Sequence, residues 1–237
     1  MGLKMSVIPK AHKKFLIIVP ICVHLLLREN GQKILKFKAK FIYLISPNKI
    51  YQNFYKDLEN VLKTKKVKYF QLRLKNTSKS QIIEISKKIK IICKNSNVKF
   101  IINDNPFIAK SVNADGCHLG QNDIHIKIAR KVLKNKIIGV TCNNSVRKAK
   151  EALKNKADYI ALGAFNQSKT KKVKYKANIN DLKKFRKISK KPIIAIGGIN
   201  LQNYKKLLLN KADFLAISSF IWKNKKLKPY EAINKLK

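Results

Sequence analysis

From Phe41 onward, short apolar runs of strand length alternate with longer Lys-rich segments in which apolar residues recur at helical spacing. The runs predict eight strands, at Phe41 to Ile45, Tyr69 to Arg73, Phe100 to Asn103, Gly116 to Leu119, Ile137 to Thr141, Tyr159 to Leu162, Ile193 to Ile196 and Phe214 to Ile217. The segments between them, among them Gln81 to Cys93, Asp123 to Leu133, Val146 to Leu153 and Leu201 to Leu209, predict amphipathic helices that pack an Ile/Leu stripe against a sheet. Eight alternating units in roughly 195 residues is the count of a (βα)8 TIM barrel, an α/β fold with a closed parallel sheet. The phrase Ala-Asp stands before a strand three times, at Ala114-Asp115, Ala157-Asp158 and Ala212-Asp213, as expected where repeated units hand a helix over to a strand. A doubly wound open sheet is the competing architecture. It calls for a Gly-rich first turn, and Ser46-Pro47-Asn48 contains no glycine.

Residues 41–237 are thus assigned to the barrel and residues 1–40 to an N-terminal extension of unknown role. Within the extension, Phe15 to Leu27 is apolar and follows Lys10, Lys13 and Lys14, as in a signal sequence. Pro20 and His24 interrupt the run, however, it falls short of the roughly 20 residues of a membrane span, and Arg28, Glu29 and Asn30 stand where a small-residue cleavage site would be needed. No membrane association is expected.

Composition adds two constraints. Of 237 residues 45% are hydrophobic, enough for a packed core, and 8 Gly with 6 Pro are too few for a sandwich of many tight hairpins. The 54 Lys+Arg against 12 Asp+Glu give a net charge of +42, which raises the question of nucleic acid. The cations are nearly all lysine and run evenly along the chain, which places them on solvated helix faces rather than in an Arg-rich reading surface. No specific nucleic-acid partner is expected, while anionic small molecules would be steered toward such a surface. Cys22, Cys93, Cys117 and Cys142 lie far apart with no CxxC pair, consistent with reduced thiols in a cytoplasmic protein.

In a barrel of this kind the chemistry sits where strands end and helices begin. Alternation along the second strand puts Gln71, Arg73 and Lys75 on one face and Phe70, Leu72 and Leu74 on the other. The apolar face meets helices, so the polar face points into the mouth, where two cations and an amide call for an anionic ligand or carboxylates. Asp104 follows the third strand and Asp123 the fourth, near enough to share a divalent cation such as Mg2+ with waters and a phosphate, although each alone would also serve as a helix N-cap. The long connection after the sixth strand carries Ser168, Thr170 and Lys171, suited to gripping phosphate or to a disordered basic loop. Gly197-Gly198 after the seventh strand and Ser218-Ser219 after the eighth occupy the positions where (βα)8 enzymes cradle a phosphate on backbone N–H groups. His118 reads as a hydrogen-bonded barrel residue and His125 as an exposed residue of a helix's first turn, not as a metal pair.

This set of motifs resembles the thiamine phosphate synthase family. The matching stretches are Gln71-Leu-Arg-Leu-Lys75, Ile102-Asn-Asp104, Ala114-Asp-Gly-Cys-His-Leu-Gly-Gln-Asn-Asp123, Ile138-Gly-Val-Thr-Cys142, Ala157-Asp-Tyr-Ile-Ala-Leu-Gly163, Ser168-Lys-Thr-Lys171 and Pro192-Ile-Ile-Ala-Ile-Gly-Gly-Ile199. They run in the family's order from about Phe41 to the end of the chain. The resemblance implies a TIM-barrel transferase that joins hydroxymethylpyrimidine diphosphate to a thiazole phosphate, plain or carboxylated, with release of pyrophosphate. It implies that Gln71, Arg73, Lys75, Asn103, Thr141 and Lys171 hold the pyrimidine diphosphate, with Arg73, Lys75 and Lys171 taking the catalytic part. Asp104 and Asp123 would hold Mg2+, and Ser168, Thr170, Gly198, Ser218 and Ser219 the thiazole phosphate. Thr141 stands where the family usually has Ser, Ser168 where Thr is usual, and Ala164 where Pro is common. Asn143 and Asn144 occupy positions that often carry His, and Ser218 replaces an aliphatic residue. A thiazole tautomerase of similar fold is the second enzymatic reading. Such relatives lack the paired metal aspartates, so Asp104 and Asp123 favour the synthase. A basic nucleic-acid-binding barrel is the non-enzymatic reading, and a homo-oligomer is among the states that the sequence allows.

Overall fold

The computed structural model describes residues 23–29, 32–37, 40–166 and 175–237. Eight parallel strands close into a barrel, β3 (Ile42–Ile45), β4 (Val67–Leu72), β5 (Lys99–Asn103), β6 (Gly116–Leu119), β7 (Ile137–Thr141), β8 (Tyr159–Gly163), β9 (Ile193–Ile196) and β10 (Phe214–Ile217). Pairing of β10 with β3 completes the ring, which rules out the open doubly wound sheet. All eight predicted strands are present within two residues at either end. Upstream, β1 (Val23–Glu29) and β2 (Gln32–Phe37) pair antiparallel in a separate two-stranded sheet. The end of the apolar run, Val23 to Leu27, therefore lies in a strand, and its first residues lie outside the described part of the chain. No helix among the described residues is long and apolar enough to cross a membrane.

The helices follow from local signals. In α1 (Phe54–Lys63), Phe54, Leu58, Val61 and Leu62 fall on one buried stripe at helical spacing. Helix α2 (Lys79–Asn95) opens with a capping box between Ser78 and Gln81, and α6 (Ile179–Ile188) opens with another between Asn178 and Asp181. Helix α4 (Ile126–Leu133) starts three residues after the predicted Asp123, and α7 (Tyr204–Leu209) three after Leu201. Before α4, Asp123 belongs instead to the loop that lines the barrel mouth, and before α7 residues 201–203 form a turn in which Asn200 N–H donates to Asn203 Oδ1. The remaining helices are α3 (Pro106–Ser111), α5 (Val146–Lys154), α8 (Ser219–Trp222) and α9 (Pro229–Asn234).

Alternation along the strands divides two cores. Outward residues such as Ile42, Phe70, Ile102, Ile138, Ile160 and Leu215 pack against the helices, while Tyr43, Tyr159, Ala161, Ile194 and Phe214 fill the barrel. The interior changes character along its axis. Tyr69, Ile101, Gly116 and Gly139 lie low on their strands, and two residues further on stand Gln71, Asn103, His118 and Thr141. A greasy floor thus carries a polar rim.

The Ala-Asp repeat acquires a structural role at the opposite end. Asp115, Asp158 and Asp213 each reach back to the first or second amide of the preceding strand, accepting from Phe100 N–H at 2.9 Å, Ile138 N–H at 2.8 Å and Ile193 N–H at 2.7 Å. Each also meets a cation, respectively Lys99, Arg130 and Arg186. The neighbouring alanines, Ala114, Ala157 and Ala212, are buried in the core between helices and sheet.

Gly139 is required by shape. A Cβ there would lie 1.8 Å from Cζ of Tyr159, its partner across β7 and β8. Gly139→Ala is therefore expected to lower stability by about 1–3 kcal/mol through overpacking, measured as a lower urea midpoint. An unchanged midpoint would mean that the Tyr159 ring moves aside freely.

Candidate active site

The C-terminal ends of the strands surround a cavity of about 710 Å3, within the range of small-molecule sites. Its floor is the upper interior layer, with Gln71, Asn103, His118 and Thr141 among its residues, and its walls are the loops that follow the strands. Gln71 is 2% exposed, and its Nε2 has no hydrogen-bond partner among the described residues. A buried amide donor left open at a cavity floor is suited to a ligand acceptor.

Arg73, Asp104 and Asp123 follow three consecutive strands, β4, β5 and β6, and all three line the cavity. Asp104 stands at the solvent-facing rim in the left-handed region at φ 64°, a backbone conformation that Asp and Asn tolerate better than most residues. Its carboxyl comes within hydrogen-bonding range of Asp123 and feels the nearby Arg73. Withdrawal from bulk water, and then the Asp123 carboxylate beside it, push the Asp104 pKa up to about 7. Asp123 is in turn held by Gly120 N–H, which donates to its Oδ2 at 2.6 Å. Neither aspartate caps a helix. Asn105 caps α3 and His125 caps α4, leaving both carboxylates for the cavity.

Other expected residues divide into three groups. Asn103, Thr141, Gly198, Ser218 and Ser219 line the same cavity. Gly197 and Gly198 both have positive φ, 103° and 59°. A Cβ on Gly197 would approach Ala164 Cβ to 2.5 Å, so the loops after β8 and β9 close on each other only because that position is glycine. The Ser218 hydroxyl donates to the Ser46 carbonyl at 3.0 Å, which ties the end of β10 to the loop after β3. Lys75 departs from the expected shared face. Strand β4 ends at Leu72, so the alternation stops before it, and Lys75 is exposed and does not line the cavity. Ser168, Thr170 and Lys171 lie outside the described residues. The ends of their loop are joined at the cavity wall, where Ala164 N–H donates to Tyr175 O at 3.1 Å and Ala177 N–H to Ala164 O at 2.8 Å.

Sequence reasoning missed several residues of the mouth. Lys148, on α5, and Lys223, the residue after α8, also line its wall. Nothing in the lysine-rich pattern separates them from their solvated neighbours. Ser46, buried, accepts from Arg73 N–H at 2.9 Å and donates to Arg73 O at 3.2 Å, fixing the backbone that carries the guanidinium. Trp222 Nε1–H donates to Ile45 O at 2.6 Å beside it. The inward placement of Tyr43 and Tyr159 was readable from strand alternation. His118 is buried, as expected of a barrel residue, and burial lowers its pKa to about 4. Its ring nitrogens lie 2.9 Å from Tyr159 Oη and 2.8 Å from Thr141 Oγ1. His125 is exposed, 3.6 Å from Glu151. Cys93, Cys117 and Cys142 are buried free thiols.

The family model described as thiamine monophosphate synthase matches residues 42–221. The chain belongs to the thiamine monophosphate synthase family. It is 61% identical over 203 residues to the thiamine-phosphate synthase of Pelagibacter ubique (strain HTCC1062), covering 85% of this chain and 98% of that one. It is 44% identical over 165 residues to the thiamine-phosphate synthase of Fusobacterium nucleatum, covering 68% of this chain and 79% of that one. Among solved structures, a thiamine phosphate pyrophosphorylase from Pyrococcus furiosus superposes with a TM-score of 0.74 at 27% identity, covering 84% of this chain and 93% of that one. The matched span of the thiamine monophosphate synthase family contains every residue described here at the mouth except Trp222 and Lys223.

Proposed function

We propose that this enzyme joins 4-amino-2-methyl-5-(hydroxymethyl)pyrimidine diphosphate to 4-methyl-5-(2-hydroxyethyl)thiazole phosphate, or its carboxylated form, giving thiamine phosphate and pyrophosphate. One observation supports this reading above the others: Arg73, Asp104 and Asp123 gather at one rim above an open Gln71 amide and the Thr141 hydroxyl. The bond that breaks joins the pyrimidine methylene carbon to the diphosphate oxygen, and its electron pair leaves with pyrophosphate. The bond that forms uses the thiazole nitrogen's lone pair, so neither a protein nucleophile nor a strong base is needed.

The chain's part is electrostatic and geometric. Gln71, Asn103 and Thr141 hold the pyrimidine end, while Arg73, with the loop's Lys171, offsets the charge that builds on the leaving group. Gly198, Ser218 and Ser219, with Ser168 and Thr170, hold the thiazole phosphate so that its nitrogen faces the methylene carbon, which supplies a proximity advantage. Asp104 and Asp123, two neighbouring carboxylates that offer hard oxygen donors, would hold Mg2+. When bound there, Mg2+ would supply positive charge to the departing oxygens. Small anionic molecules are the partners in this reading, a cytoplasmic setting accords with the free thiols, and the dispersed lysines need no nucleic acid.

Incubation with both substrates and Mg2+ is expected to release pyrophosphate and thiamine phosphate together. Absence of pyrophosphate above background rejects the synthase, and interconversion of thiazole forms in its place would indicate a tautomerase.

The carboxylate pair also predicts a pH-dependent response to the ion. The ordinary Asp value is 3.8 and the folded Asp104 value is about 7, so between these limits the folded state holds a proton that the unfolded chain has released. This group's contribution to stability therefore falls as pH rises through that window, and a cation that binds the ionised pair restores it. Mg2+ is expected to raise the melting temperature more at about pH 8 than at about pH 5. An equal increment at both would show that the ion does not bind this pair.

A further inference from the structure

From the cavity floor down into the barrel, four side chains from four strands form one unbranched hydrogen-bonded file. Tyr43 Oη lies 2.8 Å from Tyr159 Oη, Tyr159 Oη lies 2.9 Å from His118 Nδ1, and His118 Nε2 lies 2.8 Å from Thr141 Oγ1. Tyr43, Tyr159 and His118 are buried, and the Thr141 end of the file opens onto the cavity. Each hydroxyl has one hydrogen to give, and a neutral imidazole also has one. The three links therefore admit two polarities.

Pointing upward, Tyr43 donates to Tyr159, Tyr159 to Nδ1 and Nε2–H to Thr141, and the unused hydrogen is that of Thr141 at the cavity. Pointing downward, Thr141 donates to Nε2, Nδ1–H to Tyr159 and Tyr159 to Tyr43, and the unused hydrogen is that of Tyr43. Tyr43 has no other hydrogen-bond partner among the described residues, and the rings of Tyr69 and Tyr159 crowd it at centroid distances of 5.4 and 5.7 Å. Any mixed polarity leaves the Tyr159 hydrogen unpaired in the same dry layer. A buried O–H without an acceptor is costly, whereas one at the cavity finds water or ligand.

We infer that this file fixes His118 as its Nε2–H tautomer and thereby makes the Thr141 hydroxyl a hydrogen-bond donor toward the cavity, so that the site reads an acceptor nitrogen of a heteroaromatic ring. A doubly protonated ring would donate from both nitrogens and, like the downward polarity, leave the hydrogen of Tyr43 or Tyr159 unpaired in the dry layer, so the file accommodates the neutral imidazole. Tyr43 and Tyr159 are positioning residues that act through His118 and Thr141. Gly139 belongs to the device, because a Cβ there would lie 2.3 Å from Tyr159 Oη. The ring nitrogen is identified on the pyrimidine diphosphate reading given above, while the tautomer stands independently of it.

Nitrogen NMR of the ligand-free full-length protein, labelled at histidine and assigned with His118→Asn, measures the tautomer directly. Nε2 is expected to carry the hydrogen and Nδ1 to be bare; a hydrogen on Nδ1 overturns the inference. The second measurement is the Kd of pyrimidine diphosphate and of two analogues in which one or the other ring nitrogen is replaced by C–H. Wild type and Thr141→Ser are expected to bind one analogue at least about tenfold more weakly, and Thr141→Val to lose that discrimination. Full discrimination in Thr141→Val overturns the donor role. Should wild type bind none of the three ligands, the functional reading fails, and the histidine spectrum by itself decides the tautomer.

Discussion

Asp104→Asn is expected to slow thiamine phosphate formation at least about a hundredfold at saturating substrates, in line with the loss of a preorganised electrostatic contact. The substitution keeps the side chain's size and removes its charge. Asp123 is then left without its companion carboxylate beside the nearby Arg73 of the same rim, and a pair of negative charges that suits a dication is reduced to a single one. The fold should not suffer. Position 104 has φ 64° and lies at the exposed rim, where asparagine is at least as comfortable as aspartate, and its amide removes a like-charge contact. Turnover and melting temperature should therefore separate, with turnover collapsing and the melt unchanged or higher. Steady-state kinetics over a Mg2+ titration, beside a melt without the ion, reads both. Turnover within a few-fold of wild type at saturating Mg2+ would remove Asp104 from the ion's contacts.

The largest stability effect is expected at the other end of the barrel. Asp213→Ala should cost about 3–5 kcal/mol, because it strands Arg186 and leaves Ile193 N–H without its acceptor. Asp213 is 1% exposed and Arg186 is 20% exposed at its side chain, so water cannot replace the carboxylate fully. Arg186 also donates to the carbonyls of Ser189 and Lys211, which hold it in place after its partner has gone. The double variant Asp213→Ala, Arg186→Met should recover part of the loss, since it removes the orphaned charge. Denaturant unfolding of the two variants provides the comparison, and an Asp213→Ala protein within about 1 kcal/mol of wild type would show that solvent reaches this pair. Protein that remains folded should keep its turnover, because the pair lies across the barrel from the cavity.

The net charge of +42 takes on a definite meaning against this geometry. Both proposed substrates carry phosphate, and a uniformly positive exterior raises their local concentration without specifying where they bind. Specificity is left to the few groups that the barrel gathers at its mouth. A salt dependence of kcat/KM with little change in kcat is the corresponding signature.

The sequence by itself determined the number of units, their order and the end of the barrel at which chemistry belongs. Hydrophobic periods of two and of about 3.6 are local properties, and eight alternations of the two leave few closed arrangements. It also determined that Gln71 and Arg73 belong to the mouth, since alternation along β4 reaches Gln71 and Arg73 follows the strand end directly, and that the Ala-Asp phrases mark equivalent places in the repeat. The tertiary structure decided which charges meet. Lys75 lies outside the cavity because β4 ends at Leu72, while Lys148 on α5 and Lys223 just after α8 line it from positions that look like any other lysine in the chain. Asp104 and Asp123 are released from capping only because Asn105 and His125 take the caps. The polarity of the Tyr43, Tyr159, His118 and Thr141 file belongs to no segment at all. It arises where side chains from four strands meet within about 3 Å, and such distances are set by barrel closure rather than by any local pattern.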